Sequence, residues 1–209
     1  MIRRLFISFL IVFILSACSH EENIHDSDDA ENDILSTEDV KVPSGIFTSE
    51  KQNSVIDEEE IRLSIKTYLD SHEELDQASI PFQEIIYEGK ELNKNELEKL
   101  AKITKLTIEN DENFANYIIN NTLPDDYKEE SERISNYITA YNDILYELGD
   151  ILTDVTDSAT KGEIPKINIG SIMNKMEVVN GREQKKIEEF LDKKNIKTKA
   201  FGREDLEKE

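Results

Sequence analysis

The sequence has few of the residues that cross-link, break or rigidify a chain. Its 209 residues include one cysteine, no tryptophan, seven glycines and four prolines. A single cysteine cannot form a disulfide within the chain, and it cannot supply the several thiolates of a structural zinc site. The fold must therefore rest on its hydrophobic core, without covalent support.

Long apolar runs and basic residues are also scarce. A helix needs about 18 consecutive apolar residues to be a strong candidate for crossing a bilayer. The apolar run from Leu5 to Ala17 is shorter than this. The chain carries 46 acidic and 25 basic residues, which give a formal net charge of −21. Such a charge favours solubility and repels nucleic acid. We therefore expect no nucleic-acid partner.

The N-terminus is arranged like an export signal. Arg3 and Arg4 precede an apolar run, which ends in small residues before the only cysteine, Cys18. This order is a charged region, an apolar region and a cleavage site. The segment Leu15-Ser16-Ala17-Cys18 resembles the lipobox of bacterial lipoprotein signal peptides. The resemblance implies cleavage between Ala17 and Cys18 and a diacylglyceryl group on the Cys18 thiol.

The lipid would make the membrane a partner of the protein. Two acyl chains anchor a protein stably, whereas one chain does so only marginally. We expect the chain to lie on the extracytoplasmic face of the cell membrane. Residues 1–17 are then the signal peptide, and lipidation of Cys18 leaves no free thiol for redox chemistry or metal binding.

Residues 18–56 are predicted to form an acidic linker that is mostly disordered. Between His20 and Asp39 there are nine acidic residues and no lysine or arginine. Such a segment buries too little apolar surface to offset the entropy of ordering it. Its last part contains apolar side chains that could instead dock on the following domain: Val40, Val42, Ile46 and Phe47.

Residues 57–199 are predicted to form one all-α domain, an up-and-down bundle of about four main helices, and residues 200–209 a C-terminal tail. The first helix begins at Asp57 and is broken or kinked at Pro81. Asn93 or Asn95 caps the second helix, which runs to about residue 121. The apolar stripe of the first helix contains Ile61, Ile65, Tyr68, His72 and Leu75.

The second half of the domain has the same helical periodicity. Pro124 starts a third helix that extends to about residue 158. The apolar phase then continues from Ile169 to Phe190, which favours one last helix through Asn180-Gly181, although that dipeptide could instead form a turn. We expect His72 to be a core or boundary histidine.

The second helix places a carboxylate in the middle of an apolar face. At 100° per residue, Asp111 projects between Ile108 and Phe114, and Asn110 lies at the edge of that face. A buried carboxylate is costly unless it is hydrogen-bonded or paired. In an antiparallel hairpin its partner would be Arg133 or Tyr137. Asp111 is therefore either a structural polar bridge or part of a ligand groove.

The segment Asn110-Asp111-Glu112-Asn113-Phe114 has the pattern NDxxF. A chain of this size with a lipobox and this pattern resembles the NDxxF-motif lipoproteins of Bacillus-type Gram-positive bacteria, over its whole length. The resemblance implies a lipoprotein on the surface of a Gram-positive cell. It highlights Asn110, Asp111 and Phe114 and assigns no catalytic residue.

Several other chemistries are excluded by spacing. His20 and His25 are one residue too far apart for an HExxH zinc motif. The acidic run from Asp26 departs from an EF-hand loop at three positions. The sequence contains no P-loop, dinucleotide-binding turn or GxSxG elbow. We therefore predict no cofactor, no metal and no catalytic residue. The basic residues of segment 182–203 are either a solvated helix face with i,i+4 pairs or a contact for anionic cell-wall polymer, the membrane or the protein's own acidic linker.

These features favour a non-enzymatic binding or interaction role. One concrete version is an immunity or exclusion protein that captures a toxin or a phage component. The alternative is an envelope-acting enzyme that uses carboxylates in a helical cleft. A preformed cleft with converging acids, histidines or tyrosines would favour the enzyme, and a shallow exposed apolar groove would favour the binding protein.

Overall fold

The computed structural model describes residues 36–162, 164, 167 and 169–203. In this part of the chain an all-α bundle is formed by five α-helices, followed by a short 3₁₀ helix, Ala200–Gly202. The helices are α1 (Glu58–Tyr87), α2 (Lys94–Ile119), α3 (Asp125–Lys161), α4 (Gly170–Lys175) and α5 (Gly181–Lys193). The predicted fold class is confirmed. None of the described helices has the length and apolar content that crossing a membrane requires.

Capping residues set the starts of the long helices. The Asp57 side chain accepts a hydrogen bond from the Glu60 backbone N–H at the start of α1. Asn93 caps α2 in a reciprocal arrangement with Glu96, a capping box. Helix α3 begins directly after Pro124. The short connections between these helices place α1, α2 and α3 antiparallel to their neighbours in sequence.

Pro81 does not break α1, and the predicted interruption is wrong. Pro81 and Phe82 are buried inside the continuous helix. Leu75 and Phe82 lie two helical turns apart and belong to one buried cluster. Burial of this shared face offsets the backbone hydrogen bond that proline cannot make. Helix α1 ends at Tyr87, and Gly89 follows with a positive φ of 70°.

The predicted single helix from Ile169 to Phe190 is wrong, because the structure has two helices there. Helix α4 ends at Lys175, and α5 begins after Asn180. Asn180 has extended backbone angles, and its side chain accepts hydrogen bonds from the N–H groups of Arg182 and Glu183. This cap satisfies donors that a new helix start leaves free. Ile172 and Ile187, which lie on either side of the turn, are both buried. Both helices therefore present the predicted apolar positions to the core.

Residues 36–56, which we call the strap, are extended and packed on the helices. Val40, Phe47 and Ile56 are buried in the core. The Lys99 ammonium donates to the Thr37 carbonyl at 2.9 Å, among other strap carbonyls. The prediction of a mostly disordered linker is therefore wrong for residues 36–56. The alternative, in which apolar side chains of this segment dock on the domain, is confirmed. Linker residues 18–35 lie outside the described part of the chain.

The main cluster of the core draws on the three long helices and α5, and a second, smaller cluster contains Leu75, Phe82 and Ile103. All five residues of the predicted α1 stripe are buried. The boundary of the domain at residue 199 is placed too early, because Ala200 is 1% exposed within the main core cluster. The main cluster is built around the following large side chains: Phe47, Tyr68, Phe114, Tyr127, Ile134 and Phe190.

Candidate functional site

Asn110 fastens the strap to α1 and α2. It is 0% exposed, so its predicted place at the edge of the buried face is wrong. Its Oδ1 accepts from the Phe47 backbone N–H at 2.9 Å, and its Nδ2 donates to the Tyr68 carbonyl at 3.3 Å. Helix α2 is rotated relative to the predicted wheel, because the strap covers part of a face that the sequence assigns to solvent.

Asp111 is held by two hydrogen bonds rather than by an ion pair. Its carboxylate accepts from the Tyr68 hydroxyl and from Asn142 Nδ2, each at 2.8 Å. Neither predicted partner contacts it: Arg133 pairs with Glu183 at 2.6 Å, and the Tyr137 hydroxyl donates to Gln184.

The error about the partner has a geometric cause. Helical side chains lean toward the N-terminus of their own helix. In an antiparallel hairpin, the N-terminal direction of α2 is the C-terminal direction of α3. This lean corresponds to about one residue, and the register of the two helices sets the rest, because Asp111 meets Asn142, which lies about two and a half turns further along α3 than Arg133.

Phe114 completes the motif by stacking on the same tyrosine. Its ring is parallel to that of Tyr68, with centroids 4.2 Å apart, and it meets the Phe47 ring edge-on at 5.3 Å. All three motif residues thus converge on Tyr68, and together they join the strap, α1 and α3. Asp111 has the geometry of a structural polar bridge.

Burial controls the electrostatics of this cluster. Loss of solvation raises the pKa of Asp111 to about 6, although the hydrogen bonds from Asn142 and Tyr68 act in the opposite direction. Burial and the neighbouring Asp111 charge raise the pKa of the Tyr68 hydroxyl well above its usual value. Tyr68 therefore remains a hydrogen-bond donor at physiological pH.

Asn142 connects the motif to a cleft between α1, α2 and α3. The cleft has a volume of about 360 Å³, and apolar side chains such as Leu75, Ile103 and Leu145 form part of its wall. Its polar lining includes Asp76, Tyr87, Asn142 and Tyr146. The volume falls in the lower part of the range for small-molecule pockets.

Asp76 is the unusual group of this cleft. Its carboxylate forms no hydrogen bond or ion pair with any described residue. Burial, and secondly the charge of Glu73, raise the pKa of Asp76 to about 6. After the effect of burial, the charge of Asp76 further raises the pKa values of the tyrosines Tyr87 and Tyr141. Asp76 is therefore a weakly solvated carboxylate close to aromatic rings.

His72 is buried next to this region, which confirms the prediction of a core or boundary histidine. It is 6% exposed, and its ring meets that of Tyr141 edge-on at 5.9 Å. Its Nδ1 atom has no hydrogen-bond partner in the described part of the chain. Burial lowers the pKa of His72 to about 4, so the ring is neutral at physiological pH.

A shallow groove, the α2 groove, runs along the outer face of α2. Leu97 and Ile108 are 54% and 45% exposed here, although the sequence places Ile108 on the buried face. Leu100 and Thr104 line both this groove and the cleft, so the two form one continuous surface. The remaining residues of the groove are Ala101, Lys105, Glu109 and Glu112.

Much of the basic segment 182–203 is engaged in contacts within the protein. Lys194 pairs with Asp126 and lies 4.4 Å from the centre of the Tyr127 ring. Lys199 pairs with Glu74 at 3.0 Å, and Arg203 pairs with Asp192. These pairs join different elements of the fold, and the Lys194 and Arg203 side chains are only 11% and 13% exposed, so the alternative of a solvated helix face does not describe these residues.

Some predicted positions cannot be placed. Ala17, Cys18, His20, His25 and the acidic run from Asp26 lie outside the described residues. Within the described residues, no group of histidine, cysteine or acidic side chains is arranged to hold a metal ion.

The sequence interpretation missed Asp76, Tyr87 and Asn142. One signal pointed to Asn142, since it continues the apolar stripe of α3 at four-residue steps from Ile134 and Ile138. Asp76 gave a similar signal, since it follows the buried Tyr68 and His72 of α1 at four-residue steps.

The fold and this surface define an all-α bundle with a three-helix cleft that opens onto an exposed apolar groove. The chain matches no protein-family model, no curated protein and no solved structure.

Proposed function

We propose that this protein is a lipid-anchored interaction module of the Gram-positive cell surface, similar to the NDxxF-motif lipoproteins. The α2 groove is its binding surface. The observation that carries this proposal is the exposed apolar row of α2, since apolar side chains left exposed together favour contact with another molecule. The row follows helical spacing, which suits a partner helix lying along it.

Charge selects the kind of partner. The chain has a net charge of −21, and Glu109 and Glu112 border the groove together with Lys105, which pairs with Glu109 at 3.4 Å, so the groove itself remains acidic. An amphipathic helix with a basic polar face would bury its apolar side chains against Leu97 and Ile108 and place its charges opposite these glutamates. Complementary charge would also speed the encounter. An immunity or exclusion protein that captures a basic toxin segment is one form of this function.

A designed basic peptide tests the groove directly. The full chain in uncharged phosphatidylcholine nanodiscs is titrated with a helical Leu/Lys peptide, and binding is measured by fluorescence anisotropy. Ile108→Asp is expected to weaken binding by about tenfold or more, because it places a charge in the apolar contact. The matched control is Ile119→Asp on the same helix, since Ile119 is 74% exposed and lies outside the groove.

Two results would contradict the groove. Equal loss of binding in both variants would show that binding does not depend on the position of the substitution in the groove. Equal binding of a Leu/Glu peptide of the same length would show that the surface does not select basic partners.

The anchor is tested at Cys18. Cys18→Ser removes the thiol that would carry the diacylglyceryl group, so the protein is expected to leave the membrane fraction or to remain unprocessed. Detergent phase partitioning of cell extracts measures this, with Ser19→Ala as the control that keeps the thiol. If the Cys18→Ser protein is still extracted only by detergent, the lipid anchor is wrong.

The cleft supports a second candidate, an enzyme acting on the cell envelope. Asp76 lies among tyrosines, and its raised pKa of about 6 suits proton transfer near neutral pH. The two candidates differ in what Asp76→Asn does to a captured ligand. If the protein is an enzyme, Asp76→Asn stops turnover of the substrate. If the protein only binds, the unmodified protein already releases its ligand unchanged.

A further inference from the structure

The cleft wall carries negative charge, and several of its hydroxyl donors are already used within the protein, since Ser79, Thr107 and Thr153 donate to backbone carbonyls. Among the described residues that line it, the charged side chains are Asp76 and Asp150, and none is a lysine or an arginine. The Asp76 carboxylate has no partner in the described part of the chain. A ligand that brings positive charge and hydrogen-bond donors therefore complements this wall.

Asp111 adds a second acceptor by orienting Asn142. A carboxylate accepts hydrogen bonds and cannot donate them when ionised, so the Asn142 amide nitrogen must face it. Asn142 Nδ2 indeed donates to Asp111 at 2.8 Å. Asn142 lines the cleft, and no described residue donates to its Oδ1. This oxygen is therefore left available to a ligand.

The rest of the wall suits a cation carried on a short apolar chain. Tyr87 and Tyr146 line the cleft, and aromatic rings attract ammonium groups. Leu75, Ile103 and Leu145 offer surface to methylene groups. The volume of about 360 Å³ is enclosed by three helices and accommodates a slender chain rather than a second helix.

We infer that the cleft is a binding site for a primary ammonium group on a short alkyl chain, with the Asp76 carboxylate as its counter-ion and Asn142 Oδ1 as a second acceptor. An ammonium group has three donors and no acceptor. It therefore complements this wall. A carboxylate would be repelled by Asp76, and a neutral alcohol would leave the negative charge of Asp76 uncompensated.

The natural occupant is a lysine side chain of the partner, and this step rests on the proposed function. Leu100 and Thr104 belong to both the groove and the cleft. A helix lying in the α2 groove can thus extend one lysine past these residues toward Asp76. Such a lysine would give the interaction specificity for position as well as for charge.

The test uses n-butylammonium, which reproduces the lysine side chain. The full chain in uncharged nanodiscs, labelled on leucine and isoleucine methyl groups, is titrated with n-butylammonium, 1-butanol and butyrate. We expect saturable shifts of the Leu75, Ile103 and Leu145 methyl signals with the ammonium alone. Asp76→Asn is expected to weaken this binding by about tenfold, because it removes the charged acceptor.

Asp154→Asn is the matched control. It removes the same charge from an exposed position of α3 that does not line the cleft, so its binding should equal that of the unmodified protein. The melting curve of each variant reports its folding. If Asp76→Asn weakens binding of n-butylammonium but leaves binding of the Leu/Lys peptide unchanged, the lysine assignment is overturned and the cleft is a site for a free ammonium compound.

Other outcomes separate the two proposals. Equal binding of 1-butanol and n-butylammonium, or no loss with Asp76→Asn, overturns the ammonium site. Peptide binding to the α2 groove would survive either result, because it depends on Ile108. If Ile108→Asp affects peptide binding no more than Ile119→Asp does, while n-butylammonium still binds, the proposed groove is overturned. The cleft then remains as a small-molecule site.

Discussion

Phe114→Ala is expected to lower the free energy of unfolding by about 3–5 kcal/mol. Phe114 is 0% exposed and touches the rings of Tyr68 and Phe47. Alanine would leave a cavity between the strap and two helices, and it would remove two aromatic contacts. Urea denaturation followed by circular dichroism measures the change.

The control for this substitution is Ile119→Ala. Ile119 lies on the same helix and is 74% exposed, so its loss should change stability by less than about 0.5 kcal/mol. A similarly small effect of Phe114→Ala would mean that the motif phenylalanine is not packed as described. Faster proteolysis of the strap in Phe114→Ala than in the control would show that Phe47 has lost its partner.

Asp111→Ala is expected to cost about 2–4 kcal/mol, because it leaves two buried donors without an acceptor. These donors are the Tyr68 hydroxyl and Asn142 Nδ2. The cost is set by neutral hydrogen-bond donors and not by a stranded arginine, since Arg133 lies elsewhere. Asp111→Asn should cost less, because an amide retains an acceptor for Tyr68.

The pH dependence of Asp111→Asn follows from the raised pKa. The pKa of Asp111 is about 6 in the folded protein and 3.8 ordinarily. Between these values the folded state holds a proton that the unfolded state has lost, so this carboxyl makes stability fall as pH rises. Asp111→Asn removes that fall. Its stability relative to the unmodified protein should therefore increase by about 1–3 kcal/mol from pH 4 to pH 7.

Thermal or urea unfolding at several pH values measures this difference. A difference that is constant with pH would show that Asp111 has an ordinary pKa and is well solvated. A cost for Asp111→Ala as small as that of an exposed substitution, together with unchanged peptide binding, would leave NDxxF without a structural or functional role.

Local signals in the sequence determined the three long helices and their starts. Asp57, Asn93 and Pro124 mark helix starts because capping and proline geometry act within one turn. The apolar stripe of α1 from Ile61 to Leu75 is buried as its spacing predicts. The burial cost of a carboxylate also sufficed to single out Asp111 as a group that needs partners.

Only the tertiary structure decided which faces and partners are used. Asn110 is central rather than marginal because the strap, which has no helical periodicity, covers that side of α2. Asp111 meets Asn142 rather than Arg133 because side-chain direction and helix register act together between two helices. The cleft around Asp76 arises where three helices diverge, and no pattern within one helix encodes that space. Caps and apolar stripes depend on neighbours in the chain, so they can be predicted from the sequence alone. Contacts between distant segments depend on packing geometry, which only the tertiary structure shows.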